Sequence, residues 1–384
     1  MPSFPAITSI VLCATLAHAL FELPVTKIER SGSYLKGSPD ANRARVRRMM
    51  AGLPATNLDY TIYTASIGIG HPVTHYNLVL DTGSSNTVCG ANKKYVRTKT
   101  SIPTGQNVSE QFGAGSFQGI EYLDRVTLAP NLVITNQSIA NAITWTGFEG
   151  VHGILGLGPA ILTQGSLSPG VDSIIPTVMD NAMSQGLLQH DVFAISFAPT
   201  TEENETNGAI TYGGTDPSKY TGDITYIPLT TTSPSSIFWG INVTSVSYGE
   251  VEVIPQSTAG VIDSGTTQIL LADDFFAAYM KAIPGAHLDA KTGLLEIPRS
   301  SIPKMHSLHF NIGGSSFSLD VRAQLVPASQ NMAWGGHTSK YYGIVGQIGN
   351  YSGAGFDFIL GLSFMERFYA VFDAERGRVG LAYT

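Results

Sequence analysis

The chain has 384 residues, of which 13% are charged and 41 are glycine, and its formal net charge is −7. That length allows two medium lobes, each with its own core. Sparse charge and frequent glycine exclude a helical bundle and a disordered polymer, and they point to an all-β chain rich in turns.

Residues 6–17 (AITSIVLCATLA) form a short apolar run, and Ala17-His18-Ala19 follows as an A-x-A pattern. The run is too short to span a bilayer, so residues 1–19 are expected to be a signal peptide. Residues 20–50 then carry seven Lys/Arg (Lys27, Arg30, Lys36, Arg43, Arg45, Arg47, Arg48) against three acids, whereas the rest of the chain carries 15 basic and 26 acidic side chains. A basic segment ahead of an acidic body predicts a propeptide held by charge. Its end is expected at residue 50, within a window of about 48–57, and Arg47-Arg48 offers a processing site.

Short β-rich runs bounded by Gly, Pro and Asn follow, at 60–70, 75–80, 122–130, 209–214 and 223–229. Helical pattern is rare; residues 175–186 and 273–283 show it. Residues 58–190 and 191–384 read as an N-terminal and a C-terminal lobe. An internal repeat supports that division. LVLDTGSSNT (78–87) and GVIDSGTTQI (260–269) share one design, and each is followed by an apolar-Gly segment, GILGLG (153–158) and FILGLS (358–363).

Each lobe therefore supplies one aspartate, Asp81 and Asp263. Two carboxylates within hydrogen-bond distance cannot both ionise easily, so one keeps its proton. The pair then holds a base that takes a proton from water and an acid that polarises a carbonyl. Gly83 and Gly265 allow close backbone approach. Thr82 and Ser264 are placed to bond across the lobe junction, and Ser84 and Thr266 to bond the outer carboxylate oxygens.

With QFGAGSFQGIEY, YGGTDPSKYTGDITYIPL and FILGLSFMERFYAVFDAERGRVGLA added to these motifs, residues 58–384 resemble the pepsin-like aspartic proteases, closest to secreted fungal members. The resemblance implies a bilobal β fold with a few short helices, a cleft for an extended peptide, a zymogen and a hairpin flap at 111–119. It places Phe112, Gly113 and Ala114 on the flap, and Val79 and Ile154 with Phe112 along a cleft that prefers bulky apolar residues. It also implies an aspartic endopeptidase working at acidic pH; a catalytically weak or inactive binding relative is the alternative. The family's usual flap tyrosine is here Phe112, and the usual tryptophan partner is Val88. Both are apolar, which predicts a flap held by packing. His152 and Leu362 stand where the family often has Asp, which predicts a shifted titration of the pair. Lys27 and Lys36 are candidates for the lysine that covers the aspartates in zymogens.

Five sequons, at Asn107, Asn136, Asn204, Asn242 and Asn350, favour export and glycosylation. Cys13 falls in the leader, which leaves Cys89 alone and no internal disulfide. No cofactor or metal is expected: His71 and His75 are separated by Pro72 and lack an H-E-x-x-H context. The expected partners are protein or peptide substrates. The acidic body argues against nucleic acid, the C-terminus GRVGLAYT carries no anchor tail, and a secreted, extracellular monomer is expected.

Overall fold

The structure is a computed structural model that describes residues 20–29, 38–51, 61–112, 115–199 and 206–384. The expected signal peptide (1–19), Lys36, Gly113, Ala114 and Asn204 lie outside the described residues. Strand β1 (Phe21–Glu29) and helix α1 (Ser38–Met50) precede the body. The first half of the body is built from β2 (Thr61–Ile69), β3 (Thr74–Asp81), β4 (Thr87–Cys89), β5 (Ile102–Gln111), β6 (Ser116–Ala129), β7 (Leu132–Thr146) and β8 (Gly153–Gly156).

The end of β3 is a run of apolar residues rather than an alternation, because the strand is covered on both faces: Leu78, Val79 and Leu80 are all fully buried. β3 runs parallel to β8, with Asp81 opposite Gly156, and β8 runs antiparallel to β4. The second half repeats the pattern. Strand Thr258–Ile262 runs parallel to Phe358–Leu360, which runs antiparallel to Ile269–Leu271. In both halves the third strand gains one more parallel neighbour, β7 for β4 and Val345–Gln347 for Ile269–Leu271. The repeat in the sequence is therefore a repeat of topology, and it sets Asp81 and Asp263 at equivalent strand ends.

The two halves do not own separate sheets. One sheet of fourteen strands runs from Thr221–Pro228 through Phe368–Asp373 and Val192–Ser196 to Thr206–Tyr212, then through β1 into β2 and β3. It crosses the expected lobe boundary at 190/191. β1 sits at the crossing: Leu23 pairs with Ile210 on one side and Lys27 with Tyr63 on the other. Lys27 also pairs with Glu366 at 2.6 Å, and both are largely buried.

The two expected helices form at Val178–Ser184 and Asp273–Ala282. The first starts later than 175 because Thr177 caps it in a reciprocal box with Asp180. Among the described residues no helix is long and apolar enough to cross a membrane. Cys89 is a buried free thiol in the core, and burial pushes its pKa up, which removes nucleophile character. Asn107, Asn136 and Asn242 are exposed and Asn350 half-buried.

Candidate active site

Asp81 closes β3, and Asp263 follows the equivalent strand directly. Both are completely buried. Each chain turns sharply after its aspartate, and the turn feeds the carboxylate. The Gly83 amide donates to Asp81 Oδ1 at 3.0 Å and Ser84 Oγ to Oδ2 at 2.5 Å. The Gly265 amide donates to Asp263 Oδ1 at 3.0 Å and Thr266 Oγ1 to Oδ2 at 2.6 Å. Four donors at matched positions fix both carboxylates.

A second, crossed set ties the two turns together. The Thr82 amide donates to Ser264 Oγ at 3.0 Å, and the Ser264 amide donates to Thr82 Oγ1 at 2.9 Å. Ser264 Oγ donates onward to the Leu80 carbonyl at 2.9 Å, and Thr82 Oγ1 to the Ile262 carbonyl at 3.3 Å. The glycines are required by proximity. A Cβ on Gly83 would stand 2.7 Å from Asp263 Oδ1, and one on Gly265 would stand 2.2 Å from Asp81 Oδ1. Any side chain there would drive the two carboxylates apart.

The cation over this pair is neither of the two lysines expected from sequence. Lys27 is committed to Glu366. Arg45, from α1, fills the place instead. Its Nη2 donates to Asp81 Oδ1 at 3.1 Å and to both Asp263 oxygens at 2.7 Å, and its Nε donates to Asp263 Oδ2 at 3.0 Å. Burial works against the Arg45 charge, yet the two aspartates outweigh it and raise the pKa. Asp263 is also raised, first by burial and then by Asp81, with Arg45 pulling the other way. α1 is anchored by one face, Asn42, Arg45, Val46 and Met49, which matches helical spacing. Asn42 Nδ2 donates to Gln268 Oε1 at 3.0 Å, and Val46 and Met49 pack with Leu162, Val261, Leu270 and Phe356. Arg47-Arg48 lies in the last turn of this helix, so a cut there requires the helix to unwind.

β5 and β6 form the expected hairpin, with the Phe112 amide donating to the Gly115 carbonyl at 2.6 Å. Phe112 is 4% exposed and packs on Phe117 and Phe148, each ring centroid 5.9 Å away. Val79, Val88 and Ile154 belong to the same apolar cluster. The hairpin base is thus held by packing. Substituting Phe112→Tyr alone is expected to lower kcat/KM by burying a hydroxyl without its partner. Adding Val88→Trp should alter kcat/KM relative to the parent. Identical kinetics of parent and double variant would contradict the packing account.

His152 and Leu362, which stand where the resemblance leads to an expectation of Asp, each have partners of their own. His152 Nδ1 accepts from the Asn77 amide at 2.9 Å, and burial lowers its pKa. Leu362 opens a short helix, its amide bonded to the Thr266 carbonyl, and it lines a cavity of about 850 Å³ beside Lys27 and Glu366. The titratable neighbour that sequence reasoning missed is Glu110 of β5. It is 7% exposed, accepts from Asn86 Nδ2 at 3.0 Å, and interacts with Asp81. The signal was available: β5 alternates, and Glu110 is two residues from buried Val108.

A family model described as eukaryotic aspartyl protease matches residues 62–384. Polyporopepsin of Irpex lacteus is 52% identical over 332 residues, which covers 86% of this chain and 96% of the relative. Cathepsin D of Clupea harengus is 30% identical over 340 residues, covering 83% and 80%. The crystal structure of an aspartic proteinase from Irpex lacteus superposes with a TM-score of 0.83 at 46% identity, over 95% of this chain and 98% of that one.

Proposed function

This chain belongs to the eukaryotic aspartyl protease family and is an aspartic endopeptidase, and on that footing we propose that Asp81 and Asp263 are its catalytic pair and that residues 20–50 are a propeptide whose Arg45 keeps the pair silent. The observation that carries this reading is the guanidinium bonded to both carboxylates in a fully buried site. With Arg45 gone, the same oxygens face a water and a peptide carbonyl. One ionised aspartate takes the water's proton as the water attacks, and the neutral one donates to the carbonyl oxygen and later serves the leaving amine. Thr82, Ser84, Ser264, Thr266, Gly83 and Gly265 hold the two carboxylates in place, which is a positioning role. Phe112, Val79 and Ile154 favour bulky apolar side chains beside the scissile bond.

Acid release follows from the sign of the Asp263 shift. A raised pKa means that Asp263 takes up its proton above the usual aspartate range as pH falls. Arg45 then loses one of its two counter-charges while still buried, which costs several kcal/mol by order of magnitude. Activation of the full chain is therefore expected to quicken as pH falls, with pepstatin-sensitive cleavage of a denatured protein appearing together with a new N-terminus beyond residue 48. Activation that slows on acidification, or cleavage that pepstatin leaves untouched, would overturn the reading. A secreted, glycosylated enzyme acting on extracellular protein is the setting that the leader and the sequons support.

A further inference from the structure

We propose that Glu110 and the walls around it form a subsite that selects a Lys or Arg side chain of the peptide substrate next to the scissile bond. The proposal rests on the reading of Asp81 and Asp263 as the catalytic pair.

A cavity of about 430 Å³ opens between the base of the hairpin and the segment after the first apolar-Gly strand, and Glu110 in its wall interacts with Asp81. Its walls include Glu110, Ser109, Gln118, Gln164 and Ser166. These five are polar, and Phe117 of the apolar cluster that holds Phe112 completes the wall. Glu110 is a buried carboxyl with only half its capacity used: Asn86 donates to Oε2, and Oε1 has no hydrogen-bond partner among the described residues. A buried acceptor without a partner costs about 1–3 kcal/mol, so the site gains from any donor brought to it.

The chain itself supplies a cation there. Arg48 lines the same cavity. It stands one helical turn beyond Arg45, so a single face of α1 delivers one guanidinium to the catalytic pair and another toward Glu110. The two interact electrostatically, as the lowering influence of Arg48 on Glu110 shows. When α1 leaves, the carboxyl remains in the cleft with its cation removed.

The groups facing Glu110 set its pH behaviour. Burial raises its pKa to about 8, with Asp81 adding to the rise and Asn86, Arg48 and Arg45 opposing it. Without a cation the carboxyl is neutral in acid, and a bound ammonium or guanidinium favours the ionised form. Selection for a basic side chain therefore strengthens as pH rises, and it is weak where the acid is fully protonated.

The test uses the full chain after acid activation and a quenched-fluorescent peptide series in which one position at a time, on either side of the bond, is Lys or its uncharged isostere norleucine. The quantity read is the ratio of kcat/KM for the Lys peptide to that for the norleucine peptide, which a uniform loss of activity does not move. At one position the parent ratio is expected to exceed that of Glu110→Gln by about tenfold near pH 8 and to approach it near pH 6. Glu110→Asp, which retains the charge, should recover part of the ratio. A ratio that Glu110→Gln leaves unchanged at every position would overturn the proposal. If that variant does not fold, a parent ratio that fails to rise with pH does the same. Asp81→Asn runs alongside: cleavage by that variant overturns the catalytic assignment, whereas the ratios of parent and Glu110→Gln judge the subsite.

Discussion

Asp81→Asn is expected to lower kcat of the activated enzyme by about 10⁴-fold with little change in KM. The substitution leaves the turn intact. The Gly83 amide, which now donates to Asp81 Oδ1, can still donate to the Asn oxygen, and the Ser84 hydroxyl, which now donates to Oδ2, can accept from the Asn nitrogen, so substrate binding is preserved. What is lost is the shared proton. An amide beside Asp263 neither takes a proton from water nor exchanges one with its neighbour, so the loss falls on the transition state alone. Asp263→Asn should match it, and the double variant should lose little more, because the two groups act as one unit. An Asp81→Asn enzyme within tenfold of the parent would place the chemistry elsewhere.

The second large effect concerns the intact chain. Arg45→Ala should raise the activity measured before any acid step at least about tenfold. Arg45 supplies four hydrogen bonds to the pair. Without it two buried carboxylates face one another and must share a proton, which is their working state. The rise is limited because α1 stays over the cleft through Asn42 on Gln268 and through Val46 and Met49. Arg45→Lys keeps the charge and loses the planar fork, so it should fall between the two. Intact Arg45→Ala that is as silent as the parent would show that cover by the helix, rather than the guanidinium, silences the enzyme.

The contrast between these two residues shows what the sequence could yield. Asp81 and Asp263 were legible because the repeat carries its own control: the same apolar-Asp-hydroxyl-Gly pattern occurs twice, each with its later apolar-Gly strand. The crossed bonds of Thr82 and Ser264 followed from the same alignment. Arg45 was not legible. It lies among six basic residues between 30 and 48, any of which could reach an acidic cleft. The face of α1 that packs is half polar (Asn42 and Arg45 beside Val46 and Met49), so apolar periodicity does not reveal it. Glu110 was hidden for another reason. Alternation from Val108 puts it on the buried face of β5, but nothing local ties that face to Asp81. The sheet that crosses residue 190 was likewise out of reach, because strand order is a property of long-range pairing and not of local pattern.

The most direct measurement is cleavage of one fluorogenic peptide by three intact chains before acid treatment: the parent, Arg45→Ala, and Arg45→Ala combined with Asp81→Asn. Little cleavage is expected from the parent, pepstatin-sensitive cleavage from Arg45→Ala, and none from the double variant. Cleavage by the double variant at the rate of Arg45→Ala would contradict the catalytic assignment, since the activity that Arg45 restrains would then not belong to the aspartate pair.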